Sequence, residues 1–220
     1  MDEQRLKADY ERIFIDEKHC QILMQPYRAA VDLVRAKLNA LDDEMHCLYG
    51  HTPIHRVQSR IKTPQSIIEK LYRRGMEVSM AGVEKLQDIA GLRVICKYVE
   101  DVTYISALLL KQEDITLIRY SDYISHPKPT GYRSYHMIIE VPVFCQFGKV
   151  MIPVEIQVRT IAMDMWASLE HNLRYKAEHD DHDLYMERLK VAADKLAEID
   201  QEMQDIYTNI NLAWQKKESL

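Results

Sequence analysis

The sequence is poor in the residues that staple, hinge or anchor a chain. Its four cysteines, at 20, 47, 96 and 145, form no C-x-x-C pair and are too sparse for a disulfide framework. They read as reduced thiols in a cytosolic protein. Six glycines and seven prolines in 220 residues leave little room for long linkers, and no repeat or low-complexity segment is present. No run of 18 apolar residues occurs, and the charged start Asp2-Glu3-Gln4-Arg5-Leu6-Lys7 lacks the greasy stretch of a signal peptide. A soluble, cytoplasmic protein that contacts no membrane is therefore expected. Positive charge is also short overall: 29 Lys and Arg face 34 Asp and Glu, a net of -5 that argues against a duplex-DNA or anionic-membrane binder. What is present is a globular balance, 47% hydrophobic and 29% charged, enough for one main core.

Hydrophobic spacing sets the expected order of elements. Met24, Tyr27, Val31, Val34, Leu38, Leu41, Met45 and Leu48 follow Cys20 at intervals of three and four, the seam of a long helix. Pro26 suits an early helical position, and Gly50 with Pro53 should end the helix. A second seam through Tyr185, Leu189, Ala192, Leu196, Ile199, Met203, Ile206, Ile210 and Ala213 predicts a C-terminal helix near 30 residues. Both helices either brace their own core or also build a homo-oligomer, and spacing alone leaves the choice open. Between them the period falls to two, with strands over 92–99, 115–120, 135–143 and 150–159, a helix from Val102 capped by Asp101, and a helix over 161–176. The fold class expected is α+β, a mixed sheet with helices packed against it. The expected divisions are 1–54, a helical region; 55–176, a catalytic domain; and 177–220, a helix serving as an oligomerisation element.

Charge is segregated within this frame. From His55 to Gly75, six cations (Arg56, Arg60, Lys62, Lys70, Arg73 and Arg74) face the single acid Glu69. Thr63-Pro64 starts a helix that puts Ser66, Lys70 and Arg73 or Arg74 on one face, with Lys62 just before it. A helix N-terminus among cations suits a polyphosphate; a solvated cationic face is the alternative. Asp88 stands before an apolar strand that contains Arg93, and Glu155 projects from the polar face of a later strand with Gln157 and Arg159. Two carboxylates on separate strands can hold Mg²⁺ with substrate phosphates; an Asp cap and an edge-strand arginine are the plainer reading. The loop 126–136, stiffened by Pro127, Pro129 and Gly131, presents Lys128, Tyr132, Arg133 and His136, suited to stacking on a nucleobase or to a decorated turn. His51 and His55 are set aside as metal ligands because Pro53 breaks the helix between them. His179 to Asp183 reads as a solvated helix start.

R-I-K-T-P-Q-S-I-I-E-K-L-x-R-R, Q-D-I-A-G-L-R-V-I-C, P-K-P-T-G-Y-R-S-Y-H, V-E-I-Q-V-R-T and A-M-D-M-W-A-S-L-E-H together resemble the synthetase domain of the RelA/SpoT family, in family order over 56–176. At this length the chain is similar to a stand-alone small alarmone synthetase. The resemblance implies a nucleotidyltransferase-like sheet and a GTP diphosphokinase that moves the β,γ-pyrophosphate of ATP to the 3′-hydroxyl of GTP or GDP, giving (p)ppGpp and AMP. It implies that Arg60 and Arg93 bracket adenine, and that Lys62, Ser66, Lys70 and Arg73 contact ATP phosphates. Asp88 matches the Mg²⁺ ligand, and Glu155 the carboxylate that assists the metal and takes the 3′-hydroxyl proton. Tyr132 matches the ring stacked on guanine, with Lys128, His136 and Gln157 on the acceptor side. Ser121 departs from an Arg or Lys found in some members, and Arg119 is the cation placed to substitute. A homo-oligomer is implied, a tetramer favoured, with allostery by an alarmone or single-stranded RNA left open.

Overall fold

The computed structural model describes residues 3–146, 148–176 and 182–218. Over these the chain forms α1 (Glu3–Phe14), α2 (Glu17–Tyr49), β1 (Ile54–Ile61), α3 (Pro64–Arg73), α4 (Met80–Glu84), β2 (Ala90–Cys96), α5 (Val99–Leu110), β3 (Thr116–Asp122), β4 (Tyr135–Cys145), β5 (Gly148–Thr160), α6 (Ile161–Lys176) and α7 (His182–Glu218). The five strands make one mixed sheet in the order β1-β2-β5-β4-β3. Its central pair, β2 and β5, is parallel, and every other pair is antiparallel.

Alternation along β5 shows how this sheet is built. Ile152, Val154, Ile156 and Val158 are buried on one face, where α2 and α5 cover them. Glu155, Gln157 and Arg159 take the other face. Burying each of these aliphatic side chains contributes about 1.5–3 kcal/mol, so a register slip of one residue would exchange that gain for three buried polar groups. On α2, Met24, Tyr27, Val31, Val34, Leu38, Leu41 and Met45 are buried as their spacing expects, and Leu48 is exposed. Asp16 caps its start by accepting the His19 N–H at 2.7 Å, and Gly50, at φ 64°, donates its N–H to the His46 carbonyl at the end.

Several elements differ from the expectation. β1 was not expected, because His55-Arg56-Val57-Gln58-Ser59-Arg60 offers no greasy face; it is an edge strand held by its ladder to β2. Pro26 lies in the tenth position of α2, well past the first turn. Asp101 sits inside α5, where its carboxylate accepts the N–H of Tyr98 at 3.1 Å; Tyr98 is the N-cap. The same carboxylate meets His51 Nε2 at 2.7 Å, which gives that histidine a structural partner. The C-terminal helix is longer than expected, and α7 rests on α5, α6 and the end of β5 through polar contacts: Thr160 Oγ1 donates to Asp200 at 2.5 Å, Trp166 Nε1 to the Leu189 carbonyl at 2.8 Å, and Gln204 Nε2 to Glu100 at 3.0 Å. Of its expected seam, Leu189 and Leu196 are half-buried, while Ile199, Met203, Ile206 and Ile210 are exposed. Residues 177–181 lie outside the described residues, so the reading of His179 to Asp183 has structure only at His182 and Asp183.

Candidate active site

Strand register assembles the site from residues far apart in sequence. Gln58, Arg93, Gln157, His136 and Ser121 are successive partners across all five strands, one continuous row on the face away from α2. Two residues along each strand, a second row runs Arg60, Gly91, Glu155, Ile138 and Arg119. Gly91 has no side chain to fill the space between Arg60 and Glu155. There a cleft of about 270 Å³ opens, bordered by Arg60, Lys62, Asp88, Arg93, Glu155 and Gln157. Six residues singled out in three separate sequence motifs thus share one cavity.

Asp88 is the electrostatic centre of the cleft. Its Oδ2 accepts from Lys62 Nζ at 2.8 Å and from Lys70 Nζ, which α3 delivers from its core-facing side. Burial alone would raise the Asp88 carboxyl, but the hydrogen bonds and charges of the two lysines outweigh it and hold the group below the usual carboxylate range. Burial lowers Lys70 despite its attraction to Asp88. The other carboxylate oxygen, Asp88 Oδ1, is buried with no hydrogen-bond partner. An orphaned hard oxygen beside a second carboxylate, Glu155, fits a Mg²⁺ ligand set. Among the described residues no group of three or more His, Cys, Asp or Glu could hold a metal by itself, so an ion here needs phosphate oxygens to complete its shell. Ser66 and Arg73 do not border the cleft: Ser66 lies in the first turn of α3, its hydroxyl accepting from Thr63 Oγ1 at 2.9 Å, and Arg73 is exposed in the last turn.

The other end of the row is an aromatic and cationic cluster. Gly131, at φ 90°, turns the loop, and the Lys128 N–H donates to the Tyr132 carbonyl at 3.1 Å. This places Lys128 Nζ 4.9 Å from the Tyr132 ring centre and 4.6 Å from that of Tyr123. Tyr132 Oη lies 2.7 Å from His136 Nε2, with the two rings edge-on at 82°. Burial, then the positive charges of Arg159 and Lys128, depress His136 to about 4, so the imidazole is neutral at neutral pH. Arg159, 4% exposed, joins the two ends: its Nη2 donates to Tyr132 Oη at 2.5 Å and to Gln157 Oε1 at 2.6 Å. Arg133, expected to face the pocket, turns instead to α7 and donates to the Ala193 carbonyl at 3.0 Å and to Asp194 at 3.2 Å. Ser121 ends the row beside His136, and Arg119, exposed on β3, ends the neighbouring row.

Sequence reasoning missed three contributors. Tyr123 completes the cage around Lys128, and nothing in a lone tyrosine after β3 marks it. Ser134, fully buried, accepts from Arg159 Nε at 3.3 Å. Asp164, also buried, meets Arg56, Arg93 and Arg159 from α6. Its signal was available: an acid in the first turn of a helix directly following a strand whose penultimate residue is an arginine.

Residues 59–180 match the model of the region found in RelA / SpoT proteins. The GTP pyrophosphokinase YwaC of Bacillus subtilis (strain 168) is 39% identical over 186 residues, covering 84% of this chain and 89% of that protein. The GTP pyrophosphokinase YjbM of the same organism is 35% identical over 192 residues, covering 87% and 90%. The crystal structure of small alarmone synthetase 1 from Bacillus subtilis bound to its product pppGpp superposes with a TM-score of 0.78 at 34% identity, covering 88% of this chain and 99% of that one. Likeness of this extent, in sequence and in a nucleotidyltransferase-like mixed sheet, places the chain in the RelA/SpoT family.

Proposed function

We propose that the chain is a (p)ppGpp synthetase, a GTP diphosphokinase that transfers the β,γ-pyrophosphate of ATP to the 3′-hydroxyl of GTP or GDP and releases AMP. The observation that carries this reading is the single row of side chains that links a carboxylate-and-lysine cleft to an aromatic-cationic pocket through Gln157. A polyphosphate donor fits the first and a nucleobase acceptor the second, with Glu155 on the adjacent row.

Each residue then has a physical task. Lys62 and Lys70 exchange Asp88 for the donor's phosphates, and Arg60 and Arg93 hold the adenine between guanidinium planes. Ser66 and Arg73, on the same helix as Lys70, extend this phosphate contact once the donor is bound. Tyr132 stacks on guanine, while Lys128, His136 and Gln157 fix the rest of the acceptor. Glu155 accepts the 3′-hydroxyl proton as that oxygen attacks the β-phosphorus; the bond from the β-phosphorus to the oxygen of the α-phosphate breaks, and AMP departs with that oxygen. Such a transfer is mostly positioning and charge neutralisation, to which a general base adds roughly 10²- to 10⁴-fold. Mg²⁺, held by Asp88 and Glu155 with the donor's oxygens, would supply neutralisation of the phosphate charge.

The exposed Ile199, Met203, Ile206 and Ile210 of α7 support a homo-oligomer, a tetramer by preference, in a cytoplasmic protein. Light scattering that returns a single species near 25.9 kDa would contradict it. The reaction itself is tested by incubating the protein with Mg²⁺, ATP labelled at the γ-phosphate, and GDP or GTP, then resolving the products by thin-layer chromatography. Labelled guanosine tetra- or pentaphosphate with AMP as by-product is expected. Label in free pyrophosphate, the mark of AMP transfer to another hydroxyl, or no turnover, the mark of a silent nucleotide sensor, would overturn it.

A further inference from the structure

One buried carboxylate serves both ends of the row. Asp164 is 8% exposed, and its Oδ1 lies 3.3 Å from Arg93 Nη1 and 3.3 Å from Arg159 Nη1. Arg56 Nη2 approaches the other oxygen at 3.8 Å. Arg93 borders the cleft. Arg159 reaches the opposite pocket, donating to Tyr132 Oη and Gln157 Oε1 and lying 5.1 Å from the centre of the Tyr132 ring. Two guanidinium groups that face different nucleotides therefore share one oxygen atom.

Sharing has a consequence. A donor base that draws Arg93 away weakens its hold on Oδ1 and leaves that oxygen to Arg159, whose fork sets the Tyr132 hydroxyl and the Gln157 amide. An acceptor base that settles Tyr132 and Arg159 acts back on Arg93 through the same atom. We propose that Asp164 is a positioning residue that couples occupancy of the two nucleotide pockets, so that binding of one nucleotide alters affinity for the other. It touches neither nucleotide; it acts through Arg93 and Arg159. The proposal rests on the assignment of those pockets to donor and acceptor in the preceding subsection. Coupling through a shared contact is reciprocal, and a typical coupling is on the order of fivefold or more in affinity.

The test is calorimetric titration of the full chain with a non-hydrolysable ATP analogue, with and without saturating GDP, for the native protein and for Asp164→Asn. In the native protein GDP should change analogue affinity by about fivefold. In Asp164→Asn that ratio should fall to about one, because a neutral amide lacks the charge for which the two guanidinium groups compete. A merely structural role would weaken folding without moving this ratio. A ratio near one in the native protein, or an unchanged ratio in the variant, overturns the proposal. Arg93→Ala and Tyr132→Ala separate this failure from failure of the pocket assignment: if the first leaves ATP-analogue affinity intact and the second leaves GDP affinity intact, the assignment falls and the coupling with it. Should Asp164→Asn not fold, Arg159→Lys carries the same readout, since it keeps the charge and removes the fork; retention of the native ratio there is equally fatal.

Discussion

Protonating His136 should cost the protein both stability and the order of the Tyr132–Lys128 cluster around it. The imidazole is enclosed by Tyr123, Tyr132 and Arg159, with Lys128 over the two tyrosine rings. Because Arg159 donates to Tyr132 Oη, the hydroxyl proton is left to point at His136 Nε2, which accepts it only when the ring is neutral. Burial and the two cations place the folded-state value at about 4 against 6.5 for an ordinary histidine. A folded value below the unfolded one means that the unfolded chain binds the extra proton. The contribution to stability is therefore complete above pH 6.5, is lost as pH falls, and is gone below about 4. Across the whole interval it amounts to about 3 kcal/mol, most of which is lost by pH 4.5. Urea unfolding of the native protein and of His136→Gln, followed from pH 7 to 4.5, isolates this group from the carboxylates that both proteins share. The native protein should lose roughly 2–3 kcal/mol more than the variant. Parallel pH profiles, or a His136 ring resonance that titrates near 6.5 by NMR, would refute the reasoning.

Two further perturbations probe the pocket and its support. Tyr132→Ala should weaken binding of GDP or GTP by about 1–3 kcal/mol and leave ATP-analogue affinity nearly unchanged by calorimetry, since a lost stack acts on one base only; a change confined to ATP would invert the two pockets. Gly131→Ala should destabilise the fold by roughly 1–3 kcal/mol in denaturant titration, because φ is +90° there and the added methyl would come within 2.7 Å of Ala193 Cβ on α7; unchanged stability would show that α7 yields freely to the loop.

The legible parts of this fold were those where local chemistry and tertiary packing agree. Val150 to Arg159 alternates so strictly that its two faces could be assigned from the sequence, and β5 bears the polar set on the face opposite the core. β1 escaped because an edge strand with one hydrogen-bonded neighbour needs no greasy face. Pro26 misled because its fixed φ is helical, while the missing donor and the crowding of the preceding turn, which disfavour it inside a helix, are outweighed by the burial of α2. In the site, Asp88 and Glu155 were recognisable as carboxylates placed for a metal, yet their common cleft depends on register between β2 and β5, which lie more than fifty residues apart in sequence. Arg159 and Asp164 stand five residues apart across the junction of strand and helix, a signal that neither the strand period nor the helix period brings out. The net charge misled at the scale of the whole chain: the cations cluster between His55 and Gly75, where two of them meet Asp88, and ten acids against three bases fill the stretch from Glu178 to Asp205.

The proposed mechanism gives Glu155 the proton of the acceptor's 3′-hydroxyl and leaves phosphate charge to Asp88 and the lysines. Glu155→Gln keeps the shape of the side chain and removes its basicity. The measurement is alarmone formation from labelled ATP and GDP by this variant, set beside its affinity for a non-hydrolysable ATP analogue. Synthesis should fall by roughly 10²- to 10⁴-fold with analogue affinity retained; a variant that synthesises at the native rate would contradict the mechanism.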